Sequence, residues 1–261
     1  MNEAEILLGK DQGIWTITLN RPSYMNSFNK TALQSLAEYL RLAKESTDCS
    51  VVVITGQGPK AFSSGADVHT FLEEKKKALG IDWSKLGQNV FAMLDEIGKP
   101  SIAAINGIAF GGAFELALAC TFRIASEEAR FSFPEINLGF IPGWGGTQRA
   151  TRLLGPAVAL ELILTGSVID ASRALALGIV SQVVPGDRLM ETARELALKM
   201  VGKPPLAIRF ALEAVHAGLD VSLKEGLKLE GGLAAMAVLS EDAQEGIKAF
   251  FEKRKPVFRG C

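Results

Sequence analysis

Glu5-Ile6-Leu7-Leu8 and Ile14-Trp15-Thr16-Ile17-Thr18-Leu19 flank Asp11-Gln12-Gly13 and predict a β-hairpin. Asn20-Arg21-Pro22 ends it, because proline cannot continue a ladder. From Asn29, a suitable N-cap, Leu33, Leu36, Ala37, Leu40 and Ala43 recur at helical spacing. Val51-Val52-Val53-Ile54-Thr55 reads as a strand buried on both faces. A loop at 56–59 then leads to Ala61-Phe62-Ser63-Ser64-Gly65-Ala66-Asp67. Residues 68–88 are polar, carry Lys75-Lys76-Lys77, Gly80 and Trp83, and predict a helix followed by a mobile segment. Helical spacing resumes at Val90, Met93, Leu94 and Ile97 and stops at Lys99-Pro100, before a strand at 102–105.

Next comes a glycine-marked turn with Gly111-Gly112, an apolar helix ending near Ala119, and a further strand-like run. Residues 147–153 and 156–164 predict helices, and Asp170 caps another that Gly178 closes. A short strand at 180–184 follows, and from Arg188 the pattern is helical only, broken near Lys203-Pro204-Pro205, Gly218 and Ser240. Strands that alternate with helices require crossover connections, so the sheet is at least partly parallel. All strands lie before about residue 185, leaving an all-helical tail.

Composition narrows the class. At 261 residues and 48% hydrophobic the chain can bury a sizeable core. Its 28 basic and 29 acidic residues form no basic stripe, which argues against nucleic acid or an anionic membrane as main partner. The acidic start of the sequence does not suit a signal peptide, and no run approaches the ~18 apolar residues of a membrane helix. Cys49, Cys120 and Cys261 are few, scattered and odd in number, which fits reduced thiols and a cytoplasmic protein. His69 and His216 are the only histidines, expected at a helix start or surface and at a helix end. A zinc site or a Ser-His-Asp triad is poorly supplied, so no metal is expected.

Candidate chemistry gathers at 101–146. Glu115 falls in the first turn of the helix after Gly112, where an acid can simply complement the helix dipole. Its neighbours Phe114, Leu116, Ala117 and Leu118 instead predict burial, which raises a carboxyl pKa toward the range useful for proton transfer. Glu135 reads either as part of a solvated turn after a strand or, from its setting between Phe133 and Ile136-Asn137-Leu138, as buried. The turns at Gly111-Gly112 and Ser64-Gly65-Ala66 either serve tight bends or offer free N–H groups to an oxyanion. Lys75 to Lys77 reads as a solvated face, and Lys253-Arg254-Lys255 as the same or a phosphate-binding cluster.

The segments NRPSYMNSF, AFSSGADV, KPSIAAINGIAFGGAFELALAC, FSFPEINLGFIPGWGGTQR, LTGSVIDASRALALGIVSQVV and AFFEKRKPVF resemble, in order, those of the crotonase (enoyl-CoA hydratase/isomerase) superfamily. The resemblance implies an α/β, crotonase/ClpP-like spiral of ββα units over residues 1–200, holding the acyl-CoA site. A C-terminal helical trimerisation region would follow over 201–261, building a homo-hexamer. It further implies an acyl-CoA thioester substrate, with coenzyme A carried on the substrate and no other cofactor. Ala66 and Gly112 resemble the two oxyanion-hole donors, and Glu115 and Glu135 the two acids of the hydratases. Gly143 resembles a position that shapes the water site. Ser23, Tyr24 and Met25, with Ser63, Ser64, Gly65, Asp67 and Val68, correspond to the substrate-binding loops. Gly111, Pro134 and Trp144 line the same site, and Phe250 and Lys253 would reach it from a neighbouring subunit. The chain departs from the usual hydratase pattern in its bulky Phe110, Phe114, Phe140 and Trp144. Any of them in the acyl pocket would exclude long straight chains or suit a flat ring. The implied activity is enoyl-CoA hydration. An enoyl-CoA isomerase, a CoA-thioester lyase or hydrolase acting on a cyclic acyl group, and an RNA-binding scaffold are the rivals.

Overall fold

A computed structural model describes residues 4–68 and 80–261. His69 and Lys75 to Lys77 lie outside them. Strands β1 (Ile6–Asp11) and β2 (Ile14–Leu19) pair antiparallel through Gln12 and Gly13, both at positive φ, which matches the right-handed twist of a hairpin. Helix α1 (Lys30–Glu45) starts where Asn29 Oδ1 accepts the Ala32 N–H at 2.8 Å.

From there the chain repeats one unit. Strand β3 (Val51–Gly56) passes into the short β4 (Ala61–Ser63), β5 (Ser101–Ile105) into β6 (Ile108–Phe110), and β7 (Phe122–Ser126) into β8 (Arg130–Ser132). The longer strand of each pair joins β2 in a sheet ordered β1-β2-β3-β5-β7-β10, completed by β10 (Gln182–Val184). The shorter one joins a second sheet ordered β4-β6-β8-β9, closed by β9 (Ile169–Asp170). Helices α2 (Gly80–Glu96), α3 (Gly112–Ala119) and α4 (Gly146–Leu154) follow the three pairs, so the expected spiral of ββα units is the observed fold.

The run at 51–54 is apolar at every position because each face of β3 is covered. Val52 and Ile54 belong to the buried cluster that also holds Leu33, Leu36 and Leu40 of α1. Val51 and Val53 point toward Leu189, Ala193 and Ala197 of α7 (Leu189–Leu198). Helices α5 (Pro156–Thr165) and α6 (Ala171–Ala176) lie between β8 and β10 in sequence, and Asp170 caps α6 through the Arg173 N–H. After α7 come α8 (Pro205–Gly218), α9 (Leu223–Leu239) and α10 (Glu241–Glu252).

One expectation is corrected. The sequence predicts a helix followed by a mobile segment over 68–88; residues 69–79 lie outside the described residues, and 80–88 are the first turns of α2. Gly80 and Gly87 weaken the local helix signal. Packing of α2 against α1 and α3, with Trp83 buried, supplies what propensity lacks.

Candidate active site

Strands β4, β6 and β8 run parallel, and their carboxyl ends set out the site. The register Phe110↔Ser132 places Gly111 beside Phe133, so the glycine turn after β6 and the Pro134–Leu138 3₁₀ turn after β8 emerge together. The turn after β4 joins them through Gly65. A Cβ built on Gly65 would stand 2.5 Å from the Phe110 carbonyl oxygen and 3.0 Å from the Gly112 nitrogen. With φ at +88°, Gly65 meets both demands only as glycine.

Beside it, Phe28 donates its N–H to Gly65 O at 2.8 Å and accepts the Asp67 N–H at 2.9 Å. This bridge uses the groups on either side of Ala66 and leaves the Ala66 N–H facing the other way. Gly112 opens α3, where the first N–H groups have no intrahelical acceptor. The two turns that carry Ala66 and Gly112 are thus packed against each other through Gly65.

Glu115, one turn into α3, is 2% exposed. Its Oε1 accepts the N–H of Trp144 at 2.8 Å and of Gly146 at 2.7 Å, so the N-terminus of α4 holds the carboxylate in place. Burial nevertheless pushes its pKa up to about 7, with the charge of Glu135 adding to the rise and the two N–H bonds opposing it. Glu135 sits in the 3₁₀ turn with Oε2 buried and unpartnered. Burial pushes its pKa up to about 7 as well. Its carboxylate is close enough that a Cβ on Gly111 would stand 2.8 Å from Oε1. Both carboxyls thus have pKa values raised to about 7, beside the Gly111-Gly112 turn.

These raised pKa values also carry a stability cost. Each group is neutral in folded and unfolded chains below the unfolded value of 4.5, and stability falls as pH rises from there through about 7. The loss is on the order of a few kcal/mol per group. Glu115→Gln should therefore gain melting temperature relative to wild type at pH 8 but not at pH 4.5. Thermal unfolding scans of both proteins would show a constant offset at all pH values if Glu115 were unperturbed.

The remaining expected residues distribute as follows. Pro22, Ser23, Met25, Asn26, Gln57 and Lys60 line a cavity of about 320 Å³ next to β4. Ser64 donates its N–H to Met25 O at 2.9 Å, tying that loop to the oxyanion turn. The ring of Tyr24 is exposed under the Arg21 guanidinium, Ser63 is buried with Oγ accepting the Gly65 N–H, and Val68 is exposed. The Asp67 carboxylate accepts from Arg21, whose guanidinium also donates to Ser27 and pairs with Glu5. Gly143 O accepts from Gln88 Nε2 at 2.9 Å, linking the loop to α2. Phe250 and Lys253 lie on α10 and at its C-cap, where Phe250 is 78% exposed. His216 falls in the last turn of α8.

Sequence reading missed two contributors: Gly146, whose N–H holds Glu115, and Arg149, which pairs with Asp95 and opposes the rise of the Glu115 pKa; Trp83, noted in the sequence without an assigned role, packs on Trp144. The run Gly143-Trp144-Gly145-Gly146 was the available signal, since glycines beside a helix start free N–H groups for a side-chain acceptor.

The family model described as enoyl-CoA hydratase/isomerase matches residues 9–261. The chain is 36% identical to the crotonyl-CoA hydratase of Syntrophomonas wolfei, covering 97% of both proteins. It is 40% identical to the 2,3-dehydroadipyl-CoA hydratase of Escherichia coli, over 98% of this chain and 99% of that protein. Among solved structures, an enoyl-CoA hydratase from Bacillus anthracis superposes with a TM-score of 0.93. It shares 39% identity and covers 98% of this chain and 100% of its own.

Proposed function

The chain belongs to the enoyl-CoA hydratase/isomerase family and is an enoyl-CoA hydratase, and from that premise we propose that Glu115 and Glu135 together add one water syn across the 2,3-double bond of an enoyl-CoA thioester. The Ala66 and Gly112 N–H groups polarise the thioester carbonyl. Ionised Glu115 takes a proton from water as its oxygen attacks the β-carbon. Electrons move onto the carbonyl oxygen, forming an enolate that the two N–H groups hold. Neutral Glu135 then delivers its proton to the α-carbon, giving the 3-hydroxyacyl-CoA. The step is redox-neutral, so its electrons balance without a metal or redox cofactor. Gly143 shapes the water position.

The single observation that carries this reading is a pair of glutamates, one buried and one half-buried, with opposite support. Glu115 is fixed by two backbone N–H groups, while Glu135 keeps one buried oxygen without a partner. The working state carries one proton on the pair. Hydration of crotonyl-CoA, followed as loss of the conjugated enoyl-thioester absorbance, should show a bell-shaped pH dependence of kcat/KM with both limbs near neutrality. A pH-independent rate from pH 5 to 9, or no hydration of any enoyl-CoA, would overturn it.

The CoA moiety runs along the Ser23–Met25 loop and the cavity beside it, with Lys253 of a neighbouring subunit meeting a phosphate as a point charge. Exposed Leu219, Leu223, Leu239, Phe250 and Phe251 on the helical tail supply the apolar surface for a cytoplasmic hexamer. Light scattering after size exclusion should give six times 27.9 kDa, and a monomer at micromolar concentration would remove Phe250 and Lys253 from the site.

A further inference from the structure

Four bulky residues set this chain apart in sequence, and the structure separates them. Phe114 is fully buried, stacked on Phe133 at 4.5 Å and tilted against Phe131 at 5.4 Å, so it belongs to the core beneath α3. Phe140 is partly exposed, and Phe110 ends β6 at intermediate exposure. Trp144 differs from all three. Its N–H is the 2.8 Å donor to Glu115, so its backbone lies at the acid that serves the β-carbon. Its indole runs from there across the start of α3 toward α2. A Cβ on Gly112 would stand 2.3 Å from the ring, and so would a Cβ on Gly87. Trp83 and Phe91 meet the indole edge-on at 5.5 Å, and Phe28 meets it at 6.1 Å. Trp144 is 4% exposed, so the space between α2 and the second oxyanion donor is filled by aromatic rings.

We infer that the Trp144 indole, backed by Trp83 and Phe91, is the floor of the acyl pocket and restricts this enzyme to 2-enoyl-CoA thioesters with short, uncharged acyl chains. This inference rests on the hydratase reading above. With the carbonyl oxygen between Ala66 and Gly112 and the β-carbon at Glu115, a chain that continues between α2 and α3 meets the indole at once. The ring cannot step aside, because Gly87 and Gly112 close on it from two helices and three aromatic neighbours close the rest. An acyl chain ending in a carboxylate would meet apolar rings there and lose its hydration without a partner.

The test compares kcat/KM for crotonyl-CoA and 2-octenoyl-CoA in wild type, Trp144→Phe and Trp144→Leu, with circular dichroism to confirm folding. Wild type should prefer crotonyl-CoA by at least ~100-fold. Trp144→Phe should narrow that preference in part, and Trp144→Leu by about tenfold or more. Should the leucine variant fail to fold, the wild-type profile and the phenylalanine variant still decide. Brisk wild-type hydration of both thioesters, or folded variants that keep the wild-type ratio, would overturn the inference alone. Hydration of neither thioester by wild type would overturn the hydratase reading and this inference with it.

Discussion

Glu115→Gln is expected to lower crotonyl-CoA hydration by about 10³–10⁴-fold while the protein stays folded. Glutamine keeps the size of glutamate, and its amide oxygen can accept the N–H groups of Trp144 and Gly146 that Oε1 accepts now. What it cannot do is take a proton from water. Glu135→Gln should cost a similar factor, because an amide cannot deliver a proton to the α-carbon. Like Glu115→Gln, it should gain stability above neutral pH, because an amide need not be ionised where burial disfavours the charge. The double variant should be scarcely slower than either single one, because two groups acting on one water fail together. Steady-state rates on purified variants, with folding checked by circular dichroism, decide the matter. If Glu115→Gln kept its rate within about tenfold, general base catalysis by that residue would be excluded. Undiminished double-bond migration in the same variant would reassign the chemistry to isomerisation through Glu135.

Gly65→Ala should remove most activity by a different route. The new Cβ would stand 2.5 Å from the Phe110 carbonyl oxygen and 3.0 Å from the Gly112 nitrogen, both backbone atoms. Neither can rotate away as a side chain would. Gly65 is also held on both sides, its N–H donating to Ser63 Oγ and its carbonyl accepting the Phe28 N–H. The turn after β4 must therefore part from the turn after β6, separating the Ala66 and Gly112 donors. Loss of an aligned oxyanion donor costs about 10²–10³-fold in kcat, and a positive-φ alanine adds on the order of 1–3 kcal/mol of instability. Gly178→Ala separates the two effects. Gly178 has φ at +75° with nothing within 4 Å of its would-be Cβ, so that variant should pay only the backbone penalty and keep its rate. Equal activity loss in both variants would mean that instability, and not the oxyanion geometry, explains the result.

The legible parts of the chain are those where chemistry repeats along the sequence. The hairpin, the doubly buried β3, the caps at Asn29 and Asp170 and the helical tail all follow from apolar spacing and local hydrogen-bonding residues. The three-residue strands β6 and β8 carry no such signal, since three residues cannot display a period. Yet these strands carry the site, because their parallel pairing brings the Gly111-Gly112 turn beside Glu135.

By itself, the sequence determined the type of fold and which carboxylates and glycine turns were candidates for the site. An apolar helix carrying one carboxylate has to bury it, and two glycine-marked turns must expose backbone that other residues would shield. Only the tertiary structure decided what those groups do to one another. The Glu115 clamp comes from Trp144 and Gly146, about 30 residues away in the chain. Trp144 stands between two helices distant in sequence, which separates it from the core residue Phe114 of equal local promise. Local sequence sets which conformations a segment can adopt, but proton transfer and pocket depth depend on distances between segments, and only the folded chain sets those.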